Sequence, residues 1–372
     1  MNQLQDNINE LLEFDPYNLD RDIKKDKLIK ILKQQVEFHL KNCNKYKIWY
    51  ESNNFTSPSL IKDYQDVPFI PSSTFKHTNL VSIKNSKKIQ SSGTTSNAKS
   101  TIFIDKATSQ NQTKSLSKIL SAILKNKRKN YFIIDLEPKT SSLDNTMSAR
   151  QAGMMGYLMG AKSKTYLLTL DYNKKIVVDD EKLEKLISVS KNEPILIIGY
   201  TYMLYEYFLQ NSNIDFTKIN LNLESKIIHF GGWKKLENKR ILKKQLINLI
   251  NNRLNIKEEN IYDIYGFTEQ LGTIYPSSGN GGSKVSSYSH VLVRDPITLK
   301  VLNNSETGFL QFISPLPLSY PGFSILNDDL GKISTSNTDK NNNEILEFTI
   351  NPRLDNAENR GCGDTLPDNY YV

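Results

Sequence analysis

Residues 91–100 run Ser91-Ser92-Gly93-Thr94-Thr95-Ser96-Asn97-Ala98-Lys99-Ser100, and two different structures fit them. Ser, Thr, Asn and Gly are loop formers, so composition alone makes the stretch a hydroxyl-rich linker. Its flanks point elsewhere. Leu80-Val-Ser-Ile-Lys84 and Lys88-Ile-Gln90 precede it and Thr101-Ile-Phe-Ile-Asp105 follows, a short β-rich alternation. A loop between two strands that carries one Gly and closes on a Lys has the make-up of an anion cradle. Backbone N–H groups and hydroxyls then face phosphates, and Lys99 adds a point charge. The stretch by itself leaves both structures open.

The rest of the chain narrows the choice. Its 372 residues, 38% of them hydrophobic, are enough to bury a large core in one big domain or two to three subdomains. A mean hydropathy of −0.49 describes a soluble globular protein on the polar side. No apolar run is long enough to span a membrane. The opening residues, MNQLQDNINELLEFDPYNLD, lack the basic-then-apolar order of a signal peptide. Two cysteines, Cys43 and Cys362, cannot make a disulfide framework, which fits a reducing cytoplasm. The net charge of +8 comes mostly from scattered Lys, without the Arg and aromatic clustering of a nucleic-acid face. A small acidic substrate, a nucleotide or a carboxylate, suits that charge.

Hydrophobic spacing predicts an amphipathic helix over 22–46, with Leu28, Leu32, Val36 and Leu40 on one stripe. Pro68 and Pro71 mark the passage from this helical region into the body. A helix near 106–125 and buried strands at 131–135, 166–170, 195–198 and 227–230 follow, with helical patterns at 181–190 and 202–210 between them. Alternating strands and helices imply an α/β fold, a parallel sheet with helices on its faces. After about residue 285 short strands and turns take over, ending in Asn341-Asn342-Asn343 and a polar tail. No internal repeat is visible.

Ligands of such sheets collect beyond the carboxyl ends of the strands. Gly231-Gly232-Trp233 directly follows one strand; it reads as a close-approach loop with a stacking ring or as a tight turn with a surface Trp. Tyr265-Gly266-Phe267-Thr268-Glu269 follows another, and its residue types could stack a purine, bond a phosphate oxygen and hold Mg²⁺. Asn327-Asp328-Asp329-Leu330-Gly331 offers a carboxylate for ribose hydroxyls, or in isolation an ordinary turn. Their order is specific. Glu269 lies 176 residues after Gly93, and Asp329 another 60 beyond it.

That succession resembles the adenylate-forming superfamily of acyl-CoA synthetases and luciferases, whose motifs read roughly [ST]SG[ST]TGxPK, YGxTE and TGDxG. The resemblance implies an adenylate-forming N-terminal-domain-like fold with a small β-rich part. It places the loop residues Ser92, Gly93, Thr94, Thr95 and Lys99 on the ATP phosphates, with Gly231, Gly232 and Trp233 in the nucleotide site. Tyr265 and Gly266 would lie against adenine, Thr268 and Glu269 would serve phosphate and Mg²⁺, and Asp329 would hold ribose. Ser96 and Ala98 replace the family's Gly and Pro, and Asn327-Asp328 its Thr-Gly, without removing a charge or donor the site needs.

The whole chain, from Pro71 and Phe75-Lys76 through Ser319-Tyr-Pro-Gly322 to Arg360-Gly361-Cys362, looks like the acyl-protein synthetase of the bacterial luminescence fatty-acid reductase complex. That likeness implies ATP-dependent activation of a fatty acid, transfer to a cysteine near the C-terminus, and an acyl-protein reductase as partner. Cys362 occupies that position, and Arg353 and Arg360 would favour its thiolate if near in space. Arg353, in the hinge-like Pro352-Arg353-Leu354-Asp355, is also assigned to the ATP set. Only 17 residues follow Asp355, so the full mobile C-terminal domain of related ligases, with its lysine, is expected to be absent. The expected organisation is a helical region 1–70, an adenylation domain 71–345 and a tail 346–372. A free ligase acting on coenzyme A or a carrier protein, and a non-catalytic nucleotide-binding scaffold, stand as alternatives.

Overall fold

Helices open the chain: α1 (Asn2–Leu11), α2 (Arg21–Asn42) and α3 (Asn44–Ser52). The structure, a computed structural model, describes residues 2–91, 99–138, 149–233, 238–336 and 345–351. Asp20 caps α2, its carboxylate accepting from the N–H groups of Asp22 and Ile23 at 3.0 Å each. The single helix expected over 22–46 is two. Cys43 is extended (φ −130°, ψ 96°) between them. Tyr46 and Tyr50 of α3 are buried in the core beyond the break. Cys43 itself is buried and packs, as its apolar surroundings suggest.

Next come β1 (Ile70–Pro71), the one-turn helix α4 (Thr74–His77), a hairpin of β2 (Lys87–Gln90) and β3 (Thr101–Ile104), and α5 (Lys106–Ile123). The hairpin is the strand–loop–strand unit expected around residues 91–100. Leu80–Lys84, read as extended from its alternation, is not a strand. There Ser82 and Ile83 donate their N–H groups to a single acceptor, the Ser319 carbonyl, at 2.7 and 3.3 Å.

The central α/β layer contains β4 (Asn130–Leu136), α6 (Ala149–Tyr157), β5 (Ser163–Leu170), β6 (Ile176–Val178), α7 (Asp180–Asn192) and β7 (Ile195–Tyr200). It continues through α8 (Thr201–Met203), a π-helical turn at Leu204–Leu209, β8 (Lys226–Phe230), α9 (Lys243–Leu254), β9 (Ile261–Tyr265) and β10 (Tyr275–Ser278). The strands order as β10-β9-β8-β7-β4-β5-β6, with the five from β9 to β5 parallel and both edge strands antiparallel. Every residue of β7 and β8 is buried. Such two-sided burial is why these strands read as continuous apolar runs.

A second, antiparallel sheet follows from β11 (Ser283–Lys284), β12 (His290–Arg294), β13 (Gly308–Ile313), β14 (Ser324–Ser336) and β15 (Ile345–Ile350), ordered β11-β15-β14-β13-β12. β1 joins it by pairing parallel to β14 through Ile70↔Ile325 and Pro71↔Leu326. The N-terminal helices pack on the body: Leu4, Ile8, Leu28 and Val36 share one buried cluster with residues of β4, β7 and β8. Among the described residues no helix is long and apolar enough to cross a membrane.

Candidate active site

The carboxyl ends of β8 and β9 lie side by side, since Phe230 pairs with Ile264. Gly231-Gly232 therefore stands next to Tyr265-Gly266. Gly231 has φ +76°, a left-handed conformation that favours Gly, and a Cβ there would come 3.2 Å from the Tyr200 ring. Among the described residues nothing lies within 4 Å of the Cβ position of Gly232. Trp233 differs from the surface residue of the tight-turn alternative. It is 7% exposed and its ring meets Tyr205 edge-on at 4.9 Å, inside the core.

Tyr265 joins the two sheets. Its ring stacks on Phe312 of β13 (5.4 Å between centroids, 27° between planes). Its hydroxyl donates to Asp329 Oδ2 and accepts from Asn327 Nδ2, both at 2.8 Å. Burial and the neighbouring Asp329 carboxylate hold the phenol proton in place far above the ordinary range. Asp328 and Asp329 are not a turn: both lie within β14. Pairing with β13 aligns that strand and presents the half-exposed Asp329 beside the aromatic ring.

Glu269 sits in the 3₁₀ turn Thr268–Gln270 and is 7% exposed. The turn is held from below. Tyr320 Oη donates to the Glu269 carbonyl at 3.0 Å, and Gln270 Nε2 donates to the carbonyls of Phe312 (3.0 Å) and Gly322 (2.8 Å). Burial pushes the Glu269 carboxyl pKa up; a hydrogen bond with the Ser100 side chain and the Lys76 charge oppose this, and Asp328 adds to it. A buried carboxylate so poorly compensated suits a divalent cation, which supplies the charge that burial demands.

Ser100 ties this turn to the hairpin loop. Ser91 N–H donates to the Ser100 carbonyl at 2.9 Å, and Ser100 N–H to Ser91 Oγ at 3.1 Å, clamping the base of the loop. Lys99, exposed, is the residue before the clamp. Ser92, Gly93, Thr94 and Thr95 lie outside the described residues, as do Arg353 and Cys362. Lys99, the Gly231-Gly232 pair and Thr268 are thus placed around the carboxyl ends of the strands together with Tyr265, Gly266, Glu269 and Asp329.

Sequence reading missed three supports. Ser100 is the last letter of the quoted loop, and Asn327 looked only like a departure from a motif. Tyr320 carried no motif signal for its bond to Glu269. A further buried group, His229 on β8, also went unremarked: its Nδ1 lies 3.0 Å from Thr201 Oγ1 and 3.6 Å from Asp263 Oδ1. Burial depresses the His229 pKa more than Asp263 restores it, so the ring is neutral at pH 7.

A family model described as acyl-protein synthetase, LuxE, matches residues 3–371. The long-chain-fatty-acid–luciferin-component ligase of Vibrio harveyi is 22% identical over 327 residues, 84% of this chain and 80% of its own length. The protein of the same name from Aliivibrio fischeri is 24% identical over 310 residues, 81% of this chain and 78% of its own. Among solved structures, an open conformation of 2-hydroxyisobutyryl-CoA ligase in complex with 2-HIB-AMP and CoA superposes with a TM-score of 0.65. It is 14% identical and covers 93% of this chain and 78% of that one. The same ligase in its postadenylation state with R3-HIB-AMP gives a TM-score of 0.63 at 12% identity, covering 89% and 67%. At these identities the structural likeness speaks for the fold, and the fold is that of the N-terminal part of adenylate-forming ligases.

Proposed function

Since the chain belongs to the acyl-protein synthetase (LuxE) family, we propose that it activates a carboxylic acid with ATP and then carries the acyl group on its own Cys362. One observation supports this most directly. The base of the Ser/Thr loop, the buried Glu269 and the Tyr265–Asp329 pair, far apart in the chain, meet at the carboxyl end of β9.

The acid's carboxylate attacks the α-phosphorus of ATP, and pyrophosphate leaves as acyl-AMP forms. Lys99 and the loop hydroxyls stabilise charge on the phosphates. Glu269 would hold Mg²⁺, whose charge offsets that of the triphosphate. Asp329 accepts hydrogen bonds from the ribose hydroxyls, with its position set by Tyr265 Oη. The Tyr265 ring and the Gly231-Gly232 backbone wall the adenine. The Cys362 thiolate then attacks the acyl carbonyl of the mixed anhydride, AMP departs, and a thioester remains for a reductase to take. A long-chain fatty acid is the substrate class that the names of the two relatives support.

Labelling with radioactive long-chain acid, ATP and Mg²⁺ tests the two half-reactions. Wild type should acquire a hydroxylamine-sensitive label. Cys362→Ser should still release pyrophosphate yet stay unlabelled, because a serine hydroxyl remains protonated at neutral pH. Cys43→Ser should label like wild type, since Cys43 is buried among helices. A label that survives in Cys362→Ser moves the thioester elsewhere; acyl transfer to coenzyme A without any label makes the chain a free ligase.

A further inference from the structure

A second cavity, of about 280 Å³, opens between the start of α2, the turn Tyr64–Asp66 and the antiparallel sheet. It shares no lining residue with the candidate active site. Its floor is aliphatic, built from Val285, Val293, Leu302, Ile333 and Leu346. Its other wall is basic: Arg21, Lys24 and Lys25 line it against one carboxylate, Asp63, which is paired to Lys25 at 2.7 Å. Lys24 reaches inward to donate to the Ser286 carbonyl at 2.8 Å. His290 stacks on Tyr64 (3.7 Å between centroids, 17°), forming a flat aromatic side.

Tyr17 also lines the cavity. An aliphatic floor beneath converging cations matches an amphiphile with an anionic head. At roughly 30 Å³ per water-sized group, the volume holds about nine such groups.

We propose that this cavity is a second, non-catalytic binding site for a medium-chain carboxylate. The carboxylate would meet Lys24 and Arg21, and the alkyl chain would lie on Val293, Leu302 and Ile333. Ile333 lies on β14, the strand that carries Asp329, so an occupant would rest on the element that presents the ribose-facing carboxylate. Burial brings the Lys24 pKa down to about 7 in the ligand-free protein, and an anion beside it would restore the charged form.

Octanoate binding to the full chain, measured calorimetrically without ATP, tests the site whether or not the protein adenylates acids. Wild type should bind octanoate, and bind octanol and acetate much more weakly. Lys24→Met, which keeps the packed stem, should weaken octanoate roughly ten- to hundredfold, the range of one charge-assisted hydrogen bond. Leu302→Trp, which fills the cavity, should abolish binding, and its melting curve reports whether it folds. Carboxylate-dependent pyrophosphate release in Lys24→Met should match wild type at saturating acid. No octanoate binding by wild type, octanol binding as tight as octanoate, or equal octanoate affinity in Lys24→Met would each overturn the assignment.

Discussion

Glu269 is a carboxylate in a place that disfavours charge. Its pKa is raised by burial above the ordinary 4.5, and Ser100 and Lys76 recover only part of the shift. In the native state it therefore keeps a proton over a pH range where the unfolded chain has lost one, and stability falls as pH rises through that range from about 4.5 upward. Glu269→Gln removes the charge and keeps the shape. The ligand-free variant should melt higher than wild type at pH 7, by roughly 1–3 °C. The same variant should lose adenylation by about two to three orders of magnitude, as when a preorganised charge-stabilising group is removed. Calorimetric melting and pyrophosphate release measure the two effects. A lower melting point with near-normal activity would make Glu269 a structural acceptor for Ser100 and nothing more.

The active-site elements differ in how tightly they are packed, and glycine substitutions separate structural from ligand constraints. At Gly322 an added Cβ would stand 2.3 Å from Tyr320 Cε2 and 2.9 Å from the Glu269 carbonyl oxygen. The second is the acceptor of the Tyr320 Oη bond that holds the Glu269 turn, and the first belongs to the donor's ring. Gly322→Ala should cost about 1–3 kcal/mol of stability, the range for overpacking a closed core, and should slow adenylation by displacing the turn. Gly232 lies at the opposite extreme, with no atom of the described residues within 4 Å of its Cβ position. Gly232→Ala should leave urea unfolding unchanged and raise KM for ATP, because a methyl there meets no described residue and would face the proposed nucleotide. Equal stability losses in the two variants would contradict the packing difference.

On the scale of the whole molecule, the N-terminal helices are fastened to the body by buried polar groups. Gln35 Nε2 donates to the carbonyls of Pro315 (2.9 Å) and Pro317 (2.8 Å). His39 stacks on Phe323 (5.5 Å, 8°), and its Nδ1 lies 2.7 Å from Ser82 Oγ. Burial pushes the His39 pKa down from 6.5 to about 3. Below pH 6.5 the unfolded chain takes up a proton that the native ring refuses, so this contribution to stability is present above 6.5 and is lost as pH falls towards 3. At pH 5 the loss is roughly 2 kcal/mol. His39→Gln should therefore shrink the stability difference between pH 7.5 and pH 5 by about that amount in urea titrations. An unchanged pH dependence would show that the ring titrates in the native protein as it does in the unfolded chain.

Local chemistry is legible in a sequence because it acts over a few residues. The apolar runs of β7 and β8, the helix–strand alternation that demands a parallel sheet, and the motif order from the Ser/Thr loop through Tyr265–Glu269 to Asp329 all belong to that class. The break at Cys43, the inward turn of Trp233 and the bend at Leu80–Lys84 do not. In each, tertiary packing decides what the local pattern leaves open: α3 starts anew after the break with Tyr46 and Tyr50 buried, Tyr205 packs against Trp233, and the Ser319 carbonyl accepts from Ser82 and Ile83. The site itself is of the second kind. That Glu269 would be a carboxylate at the end of a strand was readable from its neighbours. That it would be buried, with Ser100 at its side, followed from the register of β8 on β9 and from the Tyr320 loop beneath the turn. Those pairings join residues distant in the chain, which no short stretch of it encodes.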